Sequence, residues 1–160
     1  MWKNFIYLLA CVFLSNSSWA GPYDPIVSKA WVGESVPGQS TATLQLNLTT
    51  VKPVTLTAVS SPLAEAVEIH SLMKLKGIMK LQVVPSLHIP EHRTTLFGSN
   101  GLFLMMTGLK QPLAIGDRVP LNLKFSFPDN QIKVISATAE VKKMELSYKH
   151  YGPNEVYDHH

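Results

Sequence analysis

Thr41-Ala42-Thr43-Leu44-Gln45-Leu46-Asn47-Leu48 alternates polar and apolar residues with a strict period of two. A pleated strand places Ala42 and the three leucines on one face, whereas the 3.6-residue repeat of a helix would scatter them. Val119 to Phe127 repeats the pattern with Leu121, Leu123, Phe125 and Phe127 on one side. Outward from these two segments, Thr55 to Ser60 reads as a strand closed by Ser61-Pro62. Ala66 to His70 and Ile78 to Val84 follow, separated by a turn near Lys76-Gly77. His88 to Phe97 is ended by Gly98-Ser99-Asn100-Gly101, and Leu102 to Thr107 reads as an interior strand. Pro128-Asp129-Asn130 turns the chain into Ile132 to Val141. Helical periodicity nowhere persists, beyond a possible single turn at Ala64 to Ala66. About eight or nine short strands with turn residues between them predict an all-β sandwich or barrel.

The 160-residue chain carries export signals at its start. Lys3 supplies a positive charge, Phe5 to Leu14 an apolar run, and Ser18-Trp19-Ala20 a small-x-small cleavage site. That run is about half of the roughly 20 residues that span a bilayer. Residues 1–20 are therefore predicted to be a signal peptide and the mature chain periplasmic, without stable membrane insertion. Leu8-Leu9-Ala10-Cys11 has some lipoprotein character, but the apolar run continues past it to Leu14. Residues 21–29, with Pro22 and Pro25, read as an N-terminal linker or edge strand. Residues 30–143 read as one β-sandwich domain and 144–160 as a flexible tail. Cys11 is the only cysteine, so the mature chain has no disulfide and relies on a packed core. The formal net charge is +3, and loss of Lys3 leaves +2. No Lys/Arg cluster accompanies it, which argues against nucleic acid.

The chemistry of the mature chain is sparse. It has no G-x-S-x-G elbow, no cysteine nucleophile and no glycine-rich phosphate loop. Glu65 and Glu68 read as solvated carboxylates, and an enzyme is not predicted. What remains is a set of soft donors on short strands: His70, Met79, Met105 and Met106. Thioethers and imidazole suit Cu(I) in an oxidising compartment. Strand parity places Met79 with Leu81 and Phe103 with Met105, and turns Met106 toward the core. Methionine is also a common core filler, so spacing alone leaves the metal reading open. His88 and His92, four apart on one predicted strand, would share a face as surface histidines.

Taken together, the motifs from Ala30 to about Val141 resemble the periplasmic copper chaperone family PCu(A)C. The residues carrying the resemblance are Ala30-Trp31-Val32, Ser60-Ser61-Pro62-Leu63-Ala64 and Glu68-Ile69-His70. They are joined by Gly108-Leu109-Lys110-Gln111-Pro112-Leu113-Ala114-Ile115-Gly116-Asp117. The resemblance implies a cupredoxin-like Greek-key β-sandwich and a Cu(I) site of His, Met and a His-x-Met pair. Carried over by position, the first His is His70 and the last Met is Met105. The other two donor positions hold Leu81 and Phe103, which cannot bind metal.

Two rescues suggest themselves. Met79 shares the parity of Leu81, giving a shifted site of His70, Met79 and Met105. Alternatively, Met144, His150, His159 and His160 of the tail could supply donors. The resemblance further implies a carrier of Cu(I) to an oxidase subunit or another copper chaperone. The competing reading is a relative that has lost copper and kept the sandwich as a protein-interaction module, with Leu81 and Phe103 as an apolar patch.

Overall fold

Strict alternation becomes burial in the two strands that carry it. The computed structural model describes Gly21, residues 23–99 and residues 101–144. The predicted signal peptide lies outside the described residues, as does the tail from residue 145 with His150, His159 and His160. In β2 (Thr41–Thr49) Ala42, Leu44, Leu46 and Leu48 are buried, and in β9 (Arg118–Ser126) Val119, Leu121, Leu123 and Phe125 are. Fully burying one such side chain stabilises the fold by about 1.5–3 kcal/mol.

The other strands are β1 (Ile26–Gly33), β3 (Val54–Ser60), β4 (Ala64–Leu75), β5 (Ile78–Val84), β6 (Leu87–Ile89), β7 (Thr94–Phe97), β8 (Leu102–Leu109) and β10 (Ile132–Lys142). Hydrogen bonding links them in the order β5-β4-β8-β2-β1-β10-β9-β3-β6, with β7 on β2. A single bridge, Val59 to Val67, joins β3 to β4 and closes the sheet on itself. The predicted all-β single-domain sandwich is present, its two faces wrapped around one core that runs from Val32 to Val141.

Three local expectations are corrected. β1 begins at Ile26, four residues before the predicted start of the sandwich domain; Ile26 to Ser28 pair with β2 alone, as the edge-strand alternative has it, and Trp31 to Gly33 lie between β2 and β10. The predicted strand His88 to Phe97 is two short strands, β6 and β7. Pro90 lacks the N–H a ladder needs, and His92 takes a positive φ of 55° while its N–H donates to Thr50 O at 2.8 Å. His88 and His92 therefore do not share a strand face. Finally, β4 starts at Ala64, where one helical turn was possible, and runs to Leu75, five residues past His70.

That extension makes a hairpin with β5. Leu75 pairs with Ile78, and the two residues between them, Lys76 and Gly77, have φ of 50° and 84°. Two successive left-handed residues form the type I′ turn that matches strand twist. A Cβ at Gly77 would meet nothing within 4 Å, so Gly77→Ala adds backbone strain alone, about 1 kcal/mol. The expected outcome is faster hydrogen exchange of the hairpin amides, with little change in global stability.

The chain start is tied to β10. Lys133 Nζ donates to Asp24 Oδ1 at 2.6 Å, and Gly21 N–H donates to Asp24 Oδ2 at 2.6 Å. The hydrogen bond from Lys133, with help from the Gly21 amide, holds the Asp24 carboxyl below its ordinary value despite an opposing contribution from burial. A carboxylate depressed in the folded state stabilises it above the unfolded pKa and loses that contribution as pH falls. Lys133 is 41% exposed, so the contribution is at most about 1 kcal/mol. Asp24→Asn is expected to lower the melting temperature near about pH 6, by a difference that shrinks as pH falls below the ordinary carboxylate value toward the lowered folded one.

Candidate metal centre

Side-chain alternation on β4 and β8 decides what faces outward. Val67, Ile69, Leu104 and Met106 are buried in the core. Glu68, His70, Phe103 and Met105 therefore project from the opposite face. Met106 turns into the core, as its parity predicts, and carries no role at the surface.

Register then assembles a cluster across three strands. His70 lies directly opposite Phe103 on β8 and Val83 on β5. Met105 lies opposite Glu68, and Leu81 opposite Leu72. Met105 and Leu81 are thus the diagonal neighbours of His70 on its two flanks, about 7–8 Å away, while Phe103 sits at about 5 Å. All four positions that the resemblance assigns to donors share one patch with His70 at its centre. Two of the four side chains there, His70 and Met105, can bind a soft metal.

Met79 is not brought to this patch. Its parity is that of Leu81, but it lies opposite Lys74, four residues along β4 from His70. At about 3.3 Å per residue this is roughly 13 Å. β5 runs antiparallel to β4, so moving from Leu81 to Met79 leads toward the turn, away from His70. Parity alone carries no information on that direction. Met79 is 54% exposed on the outer part of the hairpin.

Glu68 is the residue that the sequence reading passed over. Its Oε2 lies 3.1 Å from His70 Nε2, with the imidazole 12% and the carboxylate 42% exposed. A ring nitrogen held by a carboxylate fixes the tautomer and leaves Nδ1 as the free donor, the usual outer-shell arrangement of metal-binding histidines. The signal was legible in Glu68-Ile69-His70, since residues two apart on a strand share a face. Among the described residues no three His, Cys, Asp or Glu side chains come together as a metal set. The soft donor nearest His70 on this face is the thioether of Met105.

Known proteins share this architecture. The solution structure of CuI-DR1885 from Deinococcus radiodurans is 27% identical, with 80% of this chain and 83% of that one covered at a TM-score of 0.59. The apo PCuAC domain from PmoF1 is 17% identical with a TM-score of 0.57, over 75% of this chain and 94% of that one. The copper-bound PCuAC domain from PmoF2 is 15% identical with a TM-score of 0.55, over 74% and 93%. These likenesses bear out the resemblance to PCu(A)C proteins and the cupredoxin-like fold. Among curated proteins, "Putative lipoprotein Lxx21020" from Leifsonia xyli subsp. xyli is 29% identical over 101 residues. The match spans 62% of this chain and 61% of that relative's length. The family profile described as "Putative lipoprotein LpqE-like" matches residues 26–128, from β1 through the end of β9. The chain belongs to the LpqE-like family.

Proposed function

We propose that this protein is an exported, envelope-associated carrier that binds Cu(I) weakly and exchangeably through His70 and Met105. The observation that carries this reading is that the four donor positions share one outward face around His70, two of them, His70 and Met105, still donors and diagonal neighbours. Glu68 orients the His70 imidazole so that Nδ1 meets the Met105 thioether, and the patch is open enough for a ligand from a partner to complete the coordination. A site with two resident donors gives its metal up readily, which suits transfer to an oxidase subunit or to another chaperone. Copper-bound PCuAC structures support the choice of metal. Export by a signal peptide ending at Ala20 and residence in the periplasm belong to the same proposal.

Competition of the mature chain against a colorimetric Cu(I) chelator tests this. One copper per chain is expected, lost in His70→Ala and in Met105→Leu and kept in Met79→Leu. Glu68→Gln is expected to weaken binding about tenfold or more, as loss of an outer-shell partner does. Truncation after Lys143 is expected to leave the stoichiometry unchanged. Retention of copper by the double variant His70→Ala/Met105→Leu would exclude the assigned pair.

A second reading rests on a specific feature of the same face. Leu81, Val83 and Phe103 surround His70 with apolar surface, as a protein-interaction module would require. Absence of any copper retention in the intact chain, with the fold unchanged, would favour it.

A further inference from the structure

β4 outruns the sheet that supports it. Its last contacts with β8 are the Ser71–Leu102 pair and the Leu72 N–H donating to Gly101 O at 2.7 Å. Beyond them the strand has only β5 as a neighbour, and β5 is the terminal strand of the sheet order. Residues 73–80 thus form a two-stranded finger, about 10–13 Å long at 3.3 Å per residue.

The finger together with its base, residues 72–83, is apolar on both faces. Leu72, Met79, Leu81 and Val83 project on the face of His70, and Met73, Leu75 and Ile78 on the other. Each of the seven is 39–63% exposed. A hairpin of this kind is marginal in water by itself, and an exposed apolar surface of this extent marks an interaction site. Its charge is equally one-sided. Lys74, Lys76 and Lys80 lie on the first face, at the turn and on the second face, and no Asp or Glu occurs between Glu68 and Glu91.

We propose that this finger docks on the surface of an anionic lipid bilayer. Charge selects the partner: three cations with no carboxylate repel a second copy of the same hairpin and attract an acidic surface. Shape selects between acidic surfaces. Apolar side chains on both faces and beside the turn need an occupant that surrounds the finger, which a fluid interface does and a single protein groove does not. The finger is long enough to reach through the roughly 5–10 Å depth of the headgroup and acyl boundary. The lysine stems are long enough to leave their ammonium groups among the phosphates while the apolar residues sit below. This is peripheral docking of a hairpin, independent of whether the metal centre is occupied.

The chain from Gly21 carries every strand and all of the core found among the described residues, and serves as the test protein. It is expected to co-sediment with vesicles of phosphatidylcholine and phosphatidylglycerol mixed equally, weakly with phosphatidylcholine alone, and less as salt is raised. A lysine near an anionic surface accounts for about fivefold in binding, so Lys74→Gln/Lys76→Gln/Lys80→Gln is expected to lose about a hundredfold. Leu75→Ser/Ile78→Ser is expected to abolish co-sedimentation without moving the melting temperature. Because the mature chain lacks cysteine, a polarity-sensitive dye on Ile78→Cys reports burial directly. Its emission should shift to the blue on adding mixed vesicles, while the same dye on Val134→Cys, exposed on β10, should not move. A wild-type chain left in the supernatant, or a triple variant that binds as well as wild type, overturns the proposal. A dimer abolished by Leu75→Ser/Ile78→Ser, or capture by polyglutamate, each without vesicle binding, overturns it in favour of self-association or an acidic protein.

Discussion

Leu81→Met combined with Phe103→His is expected to raise Cu(I) affinity by about four orders of magnitude or more. The scale comes from small tetrahedral zinc sites, where four donors together supply roughly 10–16 kcal/mol, so that two account for roughly 5–8 kcal/mol. Two features of the scaffold favour the restoration. Phe103 is directly across from His70, so the new imidazole faces the old one at the distance of an opposed strand pair. Leu81 is 46% exposed and diagonal to His70, so a methionine there can choose its rotamer without disturbing the core. Each single substitution should give an intermediate gain. Chelator competition over a wide concentration range reads the effect. A double variant no tighter than the parent would mean that these four positions do not converge on one ion, and would remove the basis for assigning His70 and Met105.

Phe125→Ala is expected to cost about 3–5 kcal/mol, a large share of the roughly 5–15 kcal/mol that holds a domain of this size together. Phe125 is fully buried and heads the largest buried side chains. It sits on β9, paired to Lys133 of β10 on one side and to Leu56 of β3 on the other. Both neighbours are fixed by their ladders, so the space left by the ring cannot collapse cheaply. Phe125→Leu, which keeps most of the volume, is expected to cost about 1.5 kcal/mol or less. Urea unfolding with an unchanged slope distinguishes lost packing from a change in the unfolded state. Leu81→Ala makes the contrast, since a half-exposed hairpin residue should change stability by no more than about 0.5 kcal/mol.

These two positions also mark what the sequence discloses and what it withholds. The burial of Phe125 and its companions follows from period-two alternation, which a strand converts into an inside and an outside without tertiary information. The same rule gave the outward face of Phe103 and Met105 and the inward turn of Met106. It could not give register. Met79 and Leu81 are identical by parity, and only the pairing of Lys74 with Met79 and of His70 with Val83 shows that one is remote from His70. Length is likewise hidden where a strand leaves the core, because the exposed end of β4 has no alternation of burial to display. The break at Pro90 was visible as a residue that cannot donate to a ladder. Glu68 was passed over for a different reason. Its shared face with His70 is legible in the two-residue spacing, but carboxylates on strands are ordinarily solvated and the contact itself depends on a side-chain conformation that spacing does not fix.

The parallel pairing of β1 with β10 bears on how the molecule comes into being. Trp31, Val32 and Gly33 meet Glu140, Val141 and Lys142, so the first strand in chain order waits for the last. Until then one side of β1 and one side of β9 lack their neighbour, and closing so long a loop is slow because its entropy is spent before any contact repays it. The sheet is thereby completed only when the two ends of the core meet, so hydrogen exchange in β1 and β10 is expected to be protected late in refolding.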